Sequence, residues 1–216
     1  MLATFADLLD RSIMRTIRRL IAPSPCHLVG GALRDAALGV RSDDIDIVVS
    51  EAGRDLATQL AQIHSTRVIE LGGDRFAAYR VIAGDSQVDI WDRGATSLQE
   101  DLRRRDLTIH SFALDLHSGA IVDPFDGRRD LARHTLRMTT RSCFAEDPLR
   151  VLRLCRFVAQ LPEFRIDPAT GQRASEAAAR IGEVASERIR SEIESTLRQS
   201  AAGGAIELWI QIGFAP

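Results

Sequence analysis

The stretch that most constrains this chain is His27 to Ser50, HLVGGALRDAALGVRSDDIDIVVS, which sets a strand, a glycine pair, a short helix and an acidic strand in immediate succession. Val29 runs into Gly30 and Gly31, where a missing Cβ lets backbone N–H groups approach a ligand closely. A helix beginning near Ala32 points its positive end the same way. This is the chemistry of a phosphate seat. Gly39 falls where a helix C′ glycine belongs, and Arg41 to Asp43 supply a turn. Asp44 to Val49 reads as the next strand, whose alternation puts Asp44 and Asp46 on one face, roughly 6.6 Å apart along it. Two carboxylates facing a triphosphate seat imply Mg²⁺. Taken alone, the same stretch also reads as a tight turn followed by an acidic strand end.

The 216 residues are 45% hydrophobic and 27% charged, enough for one large globular domain or two small ones. The formal charge is −2, so the chain has no bulk basicity, yet all 28 basic residues are arginine. Arginine forks suit phosphate and base edges, but codon bias in a GC-rich genome explains the same skew, so the count decides nothing about nucleic acid. Cys26, Cys143 and Cys155 are odd in number, widely spaced and outside any C-x-x-C pattern, which argues against a disulfide framework or a zinc site and fits a reducing cytosol. Asp7 and Asp10 interrupt the N-terminal segment, which lacks the basic start of a secretory signal. No apolar run approaches the ~20 residues of a membrane span. A cytoplasmic location without membrane attachment is expected.

Phe5, Leu8, Leu9, Ile13, Ile17, Leu20 and Ile21 recur at helical spacing and predict one packing helix, with Arg11, Arg15, Arg18 and Arg19 as its solvated face. Pro23, Ser24 and Pro25 end it. After a helix over 52–63, the segments 67–71, 75–82 and 87–91 read as strands separated by Gly72, Gly73 and Asp74, and by Gly84, Asp85 and Ser86, giving a mixed or antiparallel sheet. Asp89, between Val88 and Ile90, is either a third carboxylate beside Asp44 and Asp46 or an exposed polar residue of an edge strand. Short helices over 98–104 and 128–133 flank a hairpin, and 136–138 reads as a closing strand. From Phe144 the period is helical: Asp147 is placed to cap a helix with Pro148 in its first turn, and Val151, Leu154, Cys155 and Val158 form a buried stripe. Helices over 169–181 and 186–199 and a short apolar segment over 205–212 follow.

The blocks LVGGALRD…DIDIVV, EDLRRRDLTIHSFALDL, IVDPFDGRRDLARHTLR and FAEDPLRVLRLCRFVAQL, in this order, resemble the class II tRNA nucleotidyltransferase and bacterial poly(A) polymerase family of the DNA polymerase beta superfamily. SERIRSEIESTL matches more loosely. The resemblance spans most of Leu28 to Leu197 and implies that Gly30 and Gly31 hold a triphosphate braced by Arg34 and Asp35. It makes Asp44 and Asp46 metal carboxylates, with Asp89 in the third acidic position. Arg104, Arg105 and Asp106 match the block linked to the incoming ribose and triphosphate, and Asp123 to Gly127 the loop joining head to neck. Glu146, Asp147 and Arg150 match the block whose Asp and Arg read the base edge. Asp147 accepts and Arg150 donates one helical turn apart on one face, and Arg153 joins them as a nucleotide-contacting candidate. His110 stands where the family usually has asparagine, and Leu107 where phenylalanine is common. The Trp91 to Glu100 segment is short where CCA-adding members carry a longer flexible loop.

The fold expected from this resemblance is α+β: a nucleotidyltransferase head with a mixed sheet over residues 1–138, then a helical neck over 139–216, without the helical body and tail that grip tRNA. The implied function is Mg²⁺-dependent, template-independent transfer of CMP and AMP from CTP and ATP to the 3′ end of tRNA. A separate body domain or a homo-oligomer would complete the grip. Poly(A) polymerase activity and an inactive nucleotide- or RNA-binding remnant stand as alternatives.

Overall fold

The structure, a computed structural model, describes residues 5–21, 25–72 and 77–214; Pro23, Ser24, Gly73, Asp74 and the start of the strand expected from Arg75 lie outside these. The chain divides into two compact units, residues 1–102 with 110–124, and residues 103–109 with 125–216.

In the first unit the elements run α1 (Ala6–Leu9), α2 (Ser12–Leu20), β1 (Cys26–Val29), α3 (Gly31–Ala37), β2 (Asp44–Val49), α4 (Gly53–Ile63), β3 (Val68–Leu71), β4 (Ala78–Ala83), β5 (Ser86–Asp92), α5 (Leu98–Arg103, whose last residue falls to the second unit), β6 (Ala113–Asp115) and β7 (Ile121–Val122). The strands form one mixed sheet of order β3-β4-β5-β2-β1-β6-β7. Only the β2–β5 pairing among them is parallel. Register puts Ile45, Val88 and Val81 in one lateral row and Ile47 and Ile90 in another, all buried on the face covered by α4. Asp44, Asp46 and Asp89 therefore fall on the other face, as period-2 alternation requires.

The single N-terminal helix expected from periodicity is two helices. Arg11 is extended at the break (φ −60°, ψ 142°), and its guanidinium donates to the Ser42 carbonyl, to Asp43 (2.9 Å) and to Ser86 Oγ (2.7 Å). Arg18 Nε donates to the Leu116 carbonyl at 3.2 Å. These two arginines tie the N-terminal helices to the sheet rather than forming a solvated face; three acceptors for one guanidinium outweigh the backbone bonds an unbroken helix would have kept. At the other end of the fingerprint, α3 closes with Gly39 at φ 73°, Val40 N–H on the Asp35 carbonyl (2.8 Å) and Gly39 N–H on the Ala36 carbonyl (3.1 Å), a Schellman cap.

The second unit contains α6 (Gly127–Ala132), β8 (Thr135–Leu136), α7 (Cys143–Glu146), α8 (Leu149–Gln160), β9 (Arg165–Ile166), α9 (Pro168–Ala178), α10 (Ser186–Leu197) and α11 (Ala202–Gln211). Helix α8 is its centre: Val151, Leu152, Leu154, Cys155 and Phe157 are buried, and α7, α9, α10 and α11 pack on it. Asp167 caps α9, accepting from Thr170 N–H at 3.0 Å with Pro168 in the first turn. The division expected at 138/139 falls differently here. Segment 103–109 is laced to 137–139 by the Leu107–Met138 bridge and by Thr108 N–H to Arg137 O (2.9 Å) and Thr139 N–H to Asp106 O (3.0 Å), so both segments pack with the helices. The three cysteines are buried free thiols, and burial pushes Cys26 and Cys155 up to about 12 and Cys143 to about 11. Among the described residues, no helix is long and apolar enough to cross a membrane.

Asp130 on α6 holds this lacing from behind. It is buried, and its Oδ2 accepts from Thr108 Oγ1 at 2.7 Å and from Arg137 Nε at 2.6 Å. Removing the carboxylate strands the buried Thr108 hydroxyl and leaves the Arg137 guanidinium its bond to the Phe125 carbonyl but not its charged acceptor. Asp130→Ala is expected to lower stability by about 2–4 kcal/mol in urea unfolding, and an unchanged midpoint would show that the network contributes nothing to the fold.

Candidate functional site

Two sets of candidate residues emerge, one in each unit. In the first, β1 ends at Val29 and the chain turns at Gly30, whose φ of 77° and ψ of −148° lie where residues with a Cβ are strained. Gly31 then opens α3. A Cβ placed on Gly31 would meet Arg34 Nη2 at 3.7 Å, so the buried Arg34 guanidinium underlies the turn. Arg34 Nε donates to Asp35 Oδ1 at 2.7 Å, and Nη1 lies 2.8 Å from His110 Nε2. Guanidinium nitrogens only donate, so His110 Nε2 must be the acceptor, which fixes the neutral tautomer carrying its proton on Nδ1. The asparagine expected from the resemblance is thus replaced by another acceptor.

The carboxylates stand beside this turn. Val29, the residue before Gly30, is the Cα partner of Asp46 across β1–β2. Asp46 is in turn the partner of Asp89 across β2–β5, and Asp89 of Arg80 across β5–β4. Asp44 is exposed and Asp46 half-buried, so β2 opens to solvent at its N-terminal end. Asp89 belongs to an interior strand, not an edge, but it is already engaged: Arg80 Nε and Nη2 donate to its two oxygens, both at 2.7 Å. The field of these acids reaches the guanidinium, whose pKa is raised first by the Asp89 hydrogen bond and further by Asp44 and Asp46. Among the described residues, no three His, Cys, Asp or Glu side chains are arranged to hold a metal ion. Sequence reasoning gave Arg80 no role. Its signal was the two-residue Gly84-Asp85 loop between Ala83 and Ser86, which fixes the hairpin register that sets Arg80 opposite Asp89.

In the second unit Arg104 is exposed and Arg105 half-buried, while Asp106 is buried. Asp106 Oδ1 accepts from Leu107 N–H (2.8 Å) and Oδ2 from Arg153 Nε (2.7 Å), and its carboxylate raises the Arg153 pKa. The structure thus joins Asp106 to Arg153, through which Asp106 orients α8. Glu192 of α10 completes the set, 2.9 Å from Arg156 Nε and 3.8 Å from Arg153 Nη1. Asp147 and Arg150 do not share a helical face. Asp147 is extended (φ −146°, ψ 100°) between α7 and α8, because the residue before a proline avoids the helical region, and α8 starts at Leu149 with Pro148 as its N-cap. Its Oδ1 accepts from Leu149 N–H at 3.2 Å and its Oδ2 from Arg188 at 2.9 Å. Arg150 donates to the carbonyls of Cys143 (3.2 Å) and Arg104. Arg188 and Glu192 come from SERIRSEIESTL, where only the loose motif match marked them.

If His110 serves the glycine turn through Arg34, His110→Leu removes an acceptor from a buried guanidinium. The expected cost is about 1–3 kcal/mol, read as a lower urea midpoint, and His110→Gln should recover part of it. Equal midpoints for His110→Leu and the parent protein would remove His110 from this brace.

The family described as the Poly A polymerase head domain matches residues 26–92 and 85–137 of this chain. A CC-adding tRNA nucleotidyltransferase of Synechocystis sp. is 38% identical over 180 residues, covering 82% of this chain and 42% of that protein. An A-adding tRNA nucleotidyltransferase of Deinococcus radiodurans is 38% identical over 192 residues, covering 86% of this chain and 43% of that one. A solved Thermotoga maritima CCA-adding enzyme complexed with tRNA superposes with a TM-score of 0.86 at 27% identity, over 98% of this chain and 53% of the other. The chain thus spans about half the length of the relatives it matches. On this match, and on relatives above 30% identity over most of its length, the chain belongs to the poly(A) polymerase head-domain family, with the tRNA nucleotidyltransferases.

Proposed function

We propose that this chain carries the head and neck of a template-independent nucleotidyltransferase that adds CMP, and in principle AMP, from CTP and ATP to the 3′ end of tRNA in the cytoplasm. The observation that carries the reading is the register Val29–Asp46, which sets a carboxylate strand with an open end against the strand that runs into the Gly30 turn, a turn that only glycine takes without strain. Relatives named for adding CC and for adding A match at the same identity, so identity does not separate the two specificities.

On this reading the backbone N–H groups of Gly30 and Gly31 receive the triphosphate, and Arg34, held by Asp35 and His110, keeps the turn in shape. Asp44 and Asp46 offer hard carboxylate oxygens from one strand face, a donor set that fits a divalent cation such as Mg²⁺. When bound, such cations favour deprotonation of the attacking hydroxyl and neutralise the charge on the leaving pyrophosphate. The 3′ oxygen of the primer forms a bond to the α-phosphorus, the bond from that phosphorus to the bridging oxygen breaks, pyrophosphate leaves, and the hydroxyl proton passes to water or to a carboxylate. Arg104 and Arg105 meet phosphate or ribose, while Asp147 accepts from and Arg150 donates to the base edge, with Arg153 held in place by Asp106.

The connection from Trp91 to Glu100 supports a preference for CTP. After β5 it is a tight turn, with Arg93 N–H on the Val49 carbonyl (3.0 Å), Thr96 N–H on the Arg93 carbonyl (3.2 Å) and α5 starting at Leu98. A pocket that changes from the cytosine to the adenine edge needs an element with two arrangements to drive it, and so short a turn supplies none. Purified chain incubated with tRNAs lacking CCA, CA or A, and each labelled NTP, is expected to add C readily and terminal A poorly, with Asp46→Ala losing all incorporation. ATP polymerisation without C addition would instead indicate a poly(A) polymerase.

A second expected outcome concerns base choice. Asp147→Ala should relax discrimination among the four NTPs, since the lost acceptor leaves mismatched donors unpenalised. Four single-nucleotide incorporation assays read this directly, and an unaltered preference would place base reading elsewhere.

A further inference from the structure

Of the three acidic positions on the sheet, Asp46 and Asp89 have strand partners on both sides, whereas among the described residues Asp44 has one, Gln87 of β5. The reason is that β1 ends at Val29, opposite Asp46, so the start of β2 runs on with β5 alone beside it. This start is secured by Gln87 N–H on the Asp43 carbonyl at 2.8 Å, and Asp44 itself is exposed. Backbone at such an end frays unless something else holds it. One side chain spans it. From the break between α1 and α2, the Arg11 guanidinium donates to the Ser42 carbonyl and to Asp43 Oδ1 (2.9 Å), which lead into β2, and to Ser86 Oγ (2.7 Å), which opens β5. The Arg11 side chain is only 16% exposed and Ser86 is buried. Arg41 also reaches Asp43 Oδ1, at 3.2 Å, but from an exposed position.

We propose that Arg11 is a positioning residue for cation binding: by stapling the start of β2 to the start of β5 it keeps the Asp44 backbone in the sheet, so that Asp44 and Asp46 offer their carboxylates as one donor pair. The inference rests on the metal role given above to Asp44. A guanidinium suits the task because its planar fork of five donors serves several acceptors at fixed angles, where an ammonium is a point charge. The charge of Arg11 works against a nearby cation, so its contribution is geometric. The sign of its effect separates the two: loss of a positive charge alone tightens cation binding, and loss of the staple weakens it.

The test is Mn²⁺ binding to the whole chain without nucleotide, read by electron paramagnetic resonance of free Mn²⁺ at a temperature where thermal melting shows each variant folded. Arg11→Gln is expected to weaken binding about tenfold, the scale on which groups behind metal ligands act. Arg11→Lys keeps the charge but not the fork and should lose a smaller factor, and Ser86→Ala should also weaken binding, with no change of charge at all. Unchanged or tighter binding in Arg11→Gln, or in Arg11→Lys should the glutamine variant not fold, overturns the proposal. Amide hydrogen exchange reads the staple without metal. The Gln87 amide should exchange severalfold faster in the same variant while that of Ile90, in mid-strand, is unchanged; equal protection of Gln87 in variant and parent would also overturn it. Asp44→Asn tests the underlying reading separately. Loss of Mn²⁺ binding supports that reading, while intact binding would remove Asp44 from the metal site whatever Gln87 exchange shows of Arg11.

Discussion

Like charges set side by side on neighbouring strands repel, and this sheet gathers three of them on one face. Asp46 and Asp89 are Cα partners across the parallel pair β2–β5, with Asp44 two residues along. The arrangement stands because the other face holds the register. Ile45, Ile47, Val81, Val88 and Ile90 are almost wholly buried there, each contributing on the order of 1.5–3 kcal/mol. A slip of one residue would move the aspartates into that core and the isoleucines out of it, so the apolar face selects one register by a margin that carboxylate repulsion cannot match. The Arg80 fork then lowers the repulsion that remains.

In the second unit the corresponding constraint is the buried carboxylate of Asp106. Its oxygens accept from Leu107 N–H and Arg153 Nε, while its backbone carbonyl accepts from Thr139 N–H and lies 3.2 Å from Cys143 Sγ. One residue from the middle of the sequence thus anchors the start of α7 and the side of α8. This explains why a seven-residue segment between two parts of the first unit packs with the helices. The charge is tolerable in a buried place because it is paired and hydrogen-bonded, and α8 inherits a fixed orientation from it.

Much of this was legible in the sequence. Gly30–Gly31, the Gly39 cap and the strand DIDIVV are local patterns, and local patterns need only backbone preference and side-chain alternation to be read. Arg80 does not stand out because Gly84, Asp85 and Ser86 are all turn-forming residues; giving Ser86 to the loop hides the two-residue hairpin that aligns residue 80 with residue 89. The broken N-terminal helix was hidden for a different reason. Arg11 finds its acceptors on Ser42, Asp43 and Ser86, far along the chain, and no periodicity signals such a partnership. Likewise nothing in the arginine run at 103–105 tells that the next residue, Asp106, turns inward.

The proposed base readers differ in how firmly they are held, and that difference bears on how such a pocket selects. Asp147 and Arg188 are 29% and 54% exposed at their side chains, so their pairing is worth only about 0–1 kcal/mol. An incoming donor exchanges with it at little cost. Arg150 is only 16% exposed at its side chain and bonds two backbone carbonyls, with Glu146 a further 3.8 Å away. Moving it would break both of these hydrogen bonds, each worth about 0.5–1.5 kcal/mol. On the proposed reading the acceptor adapts and the donor stays fixed, so the edge that fits the resting direction of Arg150 is favoured, and the alternative edge must meet the cost of turning it.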